Sequence, residues 1–229
     1  MVGTTIEWYD FFIYAICAGL VFGTEFFGAL GEDALLLSFA TTGISFLFRP
    51  LGAVLAGHLG DRLGRKAMLI LTLLLMGIST VLIGLLPSAA SIGVAAPILL
   101  VLLRMVQGLS AGGEWGGAAL LAVEHAPAER RGFFGSFPPI GTPIGLLLAT
   151  GVMAGVTAST TQEQFLAWGW RIPFLLTGVL VAVGIFIRLK THESPEFEHM
   201  RQQSARETMP ILVLFRDARL QVMRGIGMY

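Results

Sequence analysis

Five ionisable side chains lie inside long apolar runs of this 229-residue sequence: Glu7, Asp10, Arg49, Arg104 and Glu114. A charge at the centre of a membrane-spanning helix costs about 2.5–3.5 kcal/mol on insertion scales, so each predicts a cavity or a partner. At about 100° per residue, Glu7, Asp10 and Tyr14 share one helix face, and Arg104, Gln107 and Glu114 fall within about an 80° arc of another. Carboxylates and guanidinium groups so placed can bind an anionic substrate or pass protons. Burial favours the neutral carboxyl, a nearby arginine the ionised one, and a change of surroundings can alternate the two. The competing role is structural, as ion pairs that tie helices together. Arg104 and Glu114 stand ten residues apart, about 15 Å along a helix. Their partners must therefore come from other helices, with Asp10 and Glu7 the anions expected for Arg104 or Arg49. A separate stripe, Gly108, Gly112 and Gly116, suits close helix packing.

The elements that must hold these residues follow from composition. Hydrophobic residues make up 55% of the chain and charged ones 13%, about half the usual share of charge; the mean hydropathy is +0.76. A soluble domain of this length could not cover itself with so few charges, whereas lipid accepts an apolar surface. The single cysteine, Cys17, lies in an apolar run, which excludes a disulfide scaffold or a Cys-based zinc site. The four histidines, His58, His125, His192 and His199, fall in or beside loops, no G-x-S-x-G occurs, and no pore-loop or arginine-sensor pattern is present. No metal, cofactor, nucleic-acid partner or enzymatic activity is expected.

A spanning helix needs about 20 mostly apolar residues. Six such stretches predict an all-α integral membrane protein: 6–29, 34–59, 67–86, 96–123, 133–157 and 168–189. The first opens with Glu7 and Asp10 instead of a basic region, which argues against a signal peptide. Pro138, Pro139 and Pro143, with Gly135, Gly141 and Gly145, are expected to interrupt the fifth span, and Pro50 to kink the second. Interrupted helices point to transporter sites, with helix packing as the other reading. Twelve of fifteen Lys and Arg fall on one side: Arg62, Arg65 and Lys66; Arg130 and Arg131; Arg188, Lys190 and the arginines beyond. The positive-inside rule places that side, and both ends of the chain, in the cytoplasm. The expected organisation is a bundle over 1–189, a cytoplasmic loop over 190–218 and the start of a seventh span over 219–229, so the chain reads as incomplete.

Two motifs carry a family resemblance. Gly57-His-Leu-Gly60-Asp61-Arg62-Leu-Gly64-Arg65-Lys66, between spans 2 and 3, resembles the G-x-L-x-D-R-x-G-R-K signature of the major facilitator superfamily. Arg104-x-x-Gln107-Gly108 resembles its R-x-x-Q-G signature. Gly3-Thr-x-Ile-Glu-Trp-Tyr-Asp-Phe11, Phe48-Arg-Pro-Leu-Gly52, Gly112-Gly-Glu-Trp-Gly-Gly117 and Glu193-Ser-Pro-Glu-Phe197 are similar to the metabolite:proton symporters of that superfamily. The resemblance implies the N-terminal half of a twelve-helix fold built of 3+3 inverted repeats, partnered by lipid and by a C-terminal half absent from this chain. Its activity would be secondary transport by alternating access, driven by a proton gradient, in the bacterial inner membrane. The substrate would be a small carboxylate such as a dicarboxylate, citrate or shikimate; the alternatives are proline or betaine uptake, or a transporter-derived sensor. Asp10, Arg104, Glu114, Arg49, Glu7, Gln107 and Tyr14 are the candidate substrate- and proton-handling residues. Gly57, Gly60, Asp61, Arg62, Gly64, Arg65 and Lys66 carry over as a conformational latch, its glycines letting two helix ends pack closely. Glu7-Trp8 and Glu114-Trp115 are candidate equivalents in the inverted repeat.

Overall fold

The computed structural model describes residues 1–124 and 126–190, without the side chains of Asp61, Arg62, Leu120, Leu121, Glu124 and Ala128. The expectations for 190–218 and 219–229, and for His125, His192 and His199, thus lie almost wholly outside the described residues. Within them the chain is helical almost throughout. The first span is α1 (Val2–Cys17), a π-helical turn (Ala18–Phe22) and α2 (Gly23–Phe27). A 3-10 segment, Gly28–Asp33, reverses the chain at Gly31, whose φ of 61° suits glycine. The second span, α3 (Ala34–Leu63), packs back along the first. Gly64, at φ 102°, makes the turn into α4 (Arg65–Leu85). The short α5 (Ala89–Ile92) and Gly93, at φ 61°, lead to α6 (Ala95–Glu124). After α7 (Arg131–Gly135) and α8 (Phe137–Ser159), the single turn α9 (Gln162–Gln164) starts on a capping box from Thr161 and leads through a second π turn, Phe165–Gly169, into α10 (Arg171–Lys190).

Five continuous helical stretches are long and apolar enough to cross a membrane among the described residues. The first of them, Val2–Gly60, contains the reversal at Gly31, so six spanning segments result. The most extensive contacts pair α3 with α6, α1 with α8, and α4 with both α10 and α6. Exchanging spans 1–3 with spans 4–6 turns the α1–α8 pair into the α6–α3 pair and returns the α4–α10 pair to itself. This is the pairing that an inverted repeat requires. Glu7-Trp8 lies in α1 and Glu114-Trp115 in α6, the first helices of the two candidate repeats.

Leucines face outward, Leu47 at 75% and Leu147 at 71% exposure, as a lipid-facing surface would have them. The interior away from the Gly64 turn is aromatic, with Phe22 edge-on to Tyr14, Phe26 and Trp170, and Phe174 packed against Trp170. Pro138 and Pro139 sit in the first turn of α8, where no intrahelical N–H is needed, and do not break it. Pro143 alone lies inside α8, and Pro50 inside α3.

Candidate functional site

Glycine decides how closely α6 approaches α3. A Cβ on Gly108 would fall on the Ser45 backbone, one on Gly112 on the Arg49 carbonyl, and one on Gly52 on the Leu109 backbone. Gly116 has no such neighbour; the remaining close contacts on α6 are those of Gly113 with Ala56 and Gly117 with Leu69. The expected stripe is therefore rotated at its C-terminal end towards α4. Gly141 and Gly145 do for α8 against α1 what Gly108 and Gly112 do against α3, abutting the backbone at Thr5 and Tyr9.

This packing carries Arg104 and Gln107 of α6 up to α1. Asp10 is 3% exposed, Arg104 2% and Gln107 3%. The amide of Gln107 is saturated: its Nε2 donates to Asp10 Oδ2 and to Thr80 Oγ1 of α4, both at 2.7 Å, and its Oε1 accepts from Arg104 Nη1 at 2.9 Å. Asp10 and Arg104 are thus joined through an amide; the direct ion pair expected between them is not formed. The Arg104 guanidinium lies over the Tyr14 ring, 3.8 Å from Cζ to the centroid, a desolvated contact in which the attraction is worth about 2 kcal/mol. Among the described residues, Arg104 Nε and Nη2 have no acceptor and Asp10 Oδ1 has no donor. A site that binds an anion at the guanidinium and a proton at the carboxylate needs those unsatisfied atoms.

Arg49 of α3 pairs with Glu7 at 3.1 Å, as one of the expected combinations had it. Its guanidinium also lies 4.5 Å from the Phe46 ring centroid and 5.9 Å from that of Trp8.

Glu114 is 1% exposed and belongs to a different cluster. Its Oε1 pairs with Arg188 of α10, and its Oε2 lies 3.1 Å from Thr72 Oγ1 of α4, whose single hydrogen is shared with the Leu69 carbonyl at 3.0 Å. Arg188 also donates to the Leu69 carbonyl. Arg188, counted among the basic residues of the cytoplasmic side, turns inward near the end of α10, its side chain 14% exposed. Glu114 thus links α6 to α10 through Arg188 and to α4 through its neighbour Thr72. Breaking a buried pair leaves a buried charge behind. Glu114→Gln is expected to cost about 3 kcal/mol of stability, and Glu114→Leu combined with Arg188→Met to recover most of it, in denaturant unfolding of the purified protein.

The loop of the first motif is only partly a packing device. Gly64 needs its positive φ, but a Cβ on Gly57 would meet nothing within 4 Å, and one on Gly60 makes ordinary contact with Met68 at 3.9 Å. Those two glycines instead line, with Arg65 and Gly116, a cavity of about 200 Å³ between α3, α4 and α6. Lys66 donates to the Leu189 carbonyl at 2.8 Å and so caps the end of α10. Arg171 performs the same service for α4, through Gly84 and Leu86 carbonyls at 2.9 and 2.6 Å. Thr80, Thr72, Thr41 and Ser38 belong to these networks and carried no signal in the sequence, since a lone hydroxyl in a spanning helix is satisfied by its own backbone.

Residues 1–214 match the family of sugar (and other) transporters. The chain is 52% identical over 213 residues to the shikimate transporter of Escherichia coli (strain K12), covering 92% of this chain and 49% of that protein. It is 41% identical over 196 residues to the proline/betaine transporter of Salmonella typhimurium (strain LT2), covering 86% of this chain and 39% of that one. In fold it is similar to the xylose transporter XylE from E. coli in its inward-open conformation, with a TM-score of 0.78 at 20% identity over 99% of this chain and 53% of that one. The chain spans about half the length, or less, of the curated relatives it matches. Those relatives are transporters and not enzymes.

Proposed function

Because the chain belongs to the sugar (and other) transporter family of the major facilitator superfamily, we propose that it forms the N-terminal half of a proton-coupled symporter for a small carboxylate. The observation that carries this reading is the Asp10–Gln107–Arg104 unit, in which a buried guanidinium keeps two nitrogens, Nε and Nη2, without an acceptor and a buried carboxylate keeps one oxygen without a donor. The guanidinium suits the anionic group of the substrate. Asp10 suits the proton, because its second oxygen can be protonated without breaking the bond from Gln107. Gln107 couples the two: any movement of Arg104 toward a bound anion changes the amide that also holds Asp10. The basic loops belong in the cytoplasm, with residues 190–218 crossing to the second half, and the membrane is the bacterial inner membrane.

Shikimate is the first probe, given the 52% identity to a shikimate transporter, and betaine is its competitor, given the proline/betaine relative. In vesicles holding the protein in transport-competent form, an inward proton gradient should drive accumulation of labelled shikimate, with excess citrate or 2-oxoglutarate competing more strongly than betaine. Accumulation of betaine and not of shikimate would replace the carboxylate reading by the osmolyte one. Shikimate binding without accumulation would favour a sensor.

Asp61 sits at the end of α3 beside the Gly64 turn and is assigned to the latch between the halves. Asp61→Asn should lower Vmax about tenfold, the worth of one charge-assisted hydrogen bond, and leave KM within about twofold. A rise in KM at unchanged Vmax would count against the latch.

A further inference from the structure

The Arg104 guanidinium is held from one side by Gln107 and from below by the Tyr14 ring, and the placement of that ring is itself fixed by a chain of buried hydroxyls. Tyr14 Oη lies 2.5 Å from Thr41 Oγ1. Thr41 Oγ1 donates its own hydrogen to the Ser38 carbonyl at 2.6 Å. A hydroxyl has one hydrogen to give, so the bond between them runs from Tyr14 to Thr41. Ser38 Oγ then donates to the Ala18 carbonyl at 2.7 Å, where α1 passes into its π turn. At a π turn the helical hydrogen-bond ladder changes register, and Ser38 adds a side-chain donor to the Ala18 carbonyl there. Phe22, inside the turn, packs edge-on against Tyr14 with centroids 4.9 Å apart. Tyr14, Ser38, Phe22 and Ala18 are fully buried and Thr41 is 3% exposed.

We propose that Thr41 and Ser38 are positioning residues for Arg104: they hold Tyr14 as a hydrogen-bond donor beneath the guanidinium and tie that placement to the π turn of the first span. A phenol that donates gains electron density on its ring, which strengthens the face that attracts the cation. The same hydroxyl chain fixes the ring's rotation about the α1 axis. A change in the π turn, for instance its conversion to a regular helix as the span bends, shifts Ala18, Ser38, Thr41 and Tyr14 in sequence and moves the guanidinium. This inference rests on Arg104 being the substrate-binding group, but its first test does not.

The test is the ring-current shift of the Arg104 guanidinium protons, read by proton–nitrogen NMR of the purified protein and assigned by loss of the signal in Arg104→Lys. The wild type and Thr41→Ser should show the upfield-shifted signal, and Thr41→Val and Tyr14→Leu should move it toward the ordinary arginine position. An unmoved signal in Thr41→Val overturns the proposal whatever the protein transports. Thr41→Val should also raise KM for shikimate about tenfold, the worth of a well-placed cation–π contact, with Vmax within about twofold and Thr41→Ser near the wild type. A Thr41→Ser variant as impaired as Thr41→Val would mark a packing role and overturn the assignment. Should Thr41→Val accumulate poorly, Tyr14→Phe, which keeps the ring and removes the donor, reads the same two quantities. Shikimate transport absent from the wild type alongside a Thr41-dependent NMR signal would sink the carboxylate reading and leave the positioning role standing.

Discussion

Arg104→Ala should abolish measurable uptake, lowering Vmax/KM by more than about a hundredfold. A hydrogen bond to a charged group is worth about 1.5–3 kcal/mol, and two such bonds to a substrate anion exceed the roughly 2.8 kcal/mol that a hundredfold loss represents. The substitution also leaves Gln107 Oε1 without its donor and Tyr14 without its cation, so the remaining site loses its positioning contacts as well as its cation. Arg104→Lys separates these effects. An ammonium retains the charge but cannot lie flat on the ring, reach Gln107 and present two further N–H groups at once. It should bind substrate weakly and transport slowly, whereas a site that used Arg104 only as a structural charge would accept lysine. Labelled-shikimate uptake, normalised to the amount of protein in the membrane, distinguishes the two.

Gly112→Leu should prevent folding. A Cβ at that position would already overlap the Arg49 carbonyl and crowd Ala53 N. Those are backbone atoms of α3 that cannot swing aside as a side chain could. Overpacking against movable side chains costs about 1–3 kcal/mol; against backbone the helices must separate, and Arg49 sits on the helix that would be displaced. Gly108→Leu, which meets the Ser45 backbone, should fail in the same way. Gly116→Ala is the control, because nothing lies within 4 Å of its added carbon. The fraction of protein eluting as a monodisperse species from detergent extracts should fall to near zero for the first two and stay near the wild type for the third. Equal behaviour of all three would contradict the placement of α6 against α3.

The spans, their number and the reversal points follow from apolar length and glycine placement, which act locally and so can be read along the chain. The pairing of Arg49 with Glu7 was among the expected combinations because both are isolated charges in neighbouring spans. Gln107 as the bridge between Asp10 and Arg104 was not evident, although both its neighbours were: an amide can take either partner, and its position between them depends on the distance between α1 and α6. That distance is set by Gly108, Gly112 and Gly52, whose spacing advertises a close contact without naming the helix on the other side. The inward turn of Arg188 was not evident for a related reason. A basic residue close to a span end is ordinarily drawn out to the interface, and only the buried Glu114 facing it from α6 turns it inward. The hydroxyls of Ser38, Thr41, Thr72 and Thr80 are the least legible component, because each could equally have bonded only its own helix.

Glu114 illustrates how geometry sorts residues that look alike in sequence. Asp10 and Glu114 are both acidic, both in spans and both nearly inaccessible. Asp10 Oδ1 has no donor among the described residues, whereas Glu114 pairs with Arg188 and neighbours Thr72, linking α6 to α10 and α4. The proposed coupling role of Asp10 is open to direct measurement.

That measurement is substrate-induced proton movement in proteoliposomes holding the protein in transport-competent form, followed with a pH electrode in weakly buffered medium. Adding shikimate to the wild type should make the external medium alkaline as protons enter with substrate. Asp10→Asn should show no pH change while still exchanging labelled for unlabelled shikimate across the membrane, since exchange needs binding and reorientation but no net proton transfer. An Asp10→Asn protein that still moves protons with shikimate would contradict Asp10 as the coupling group.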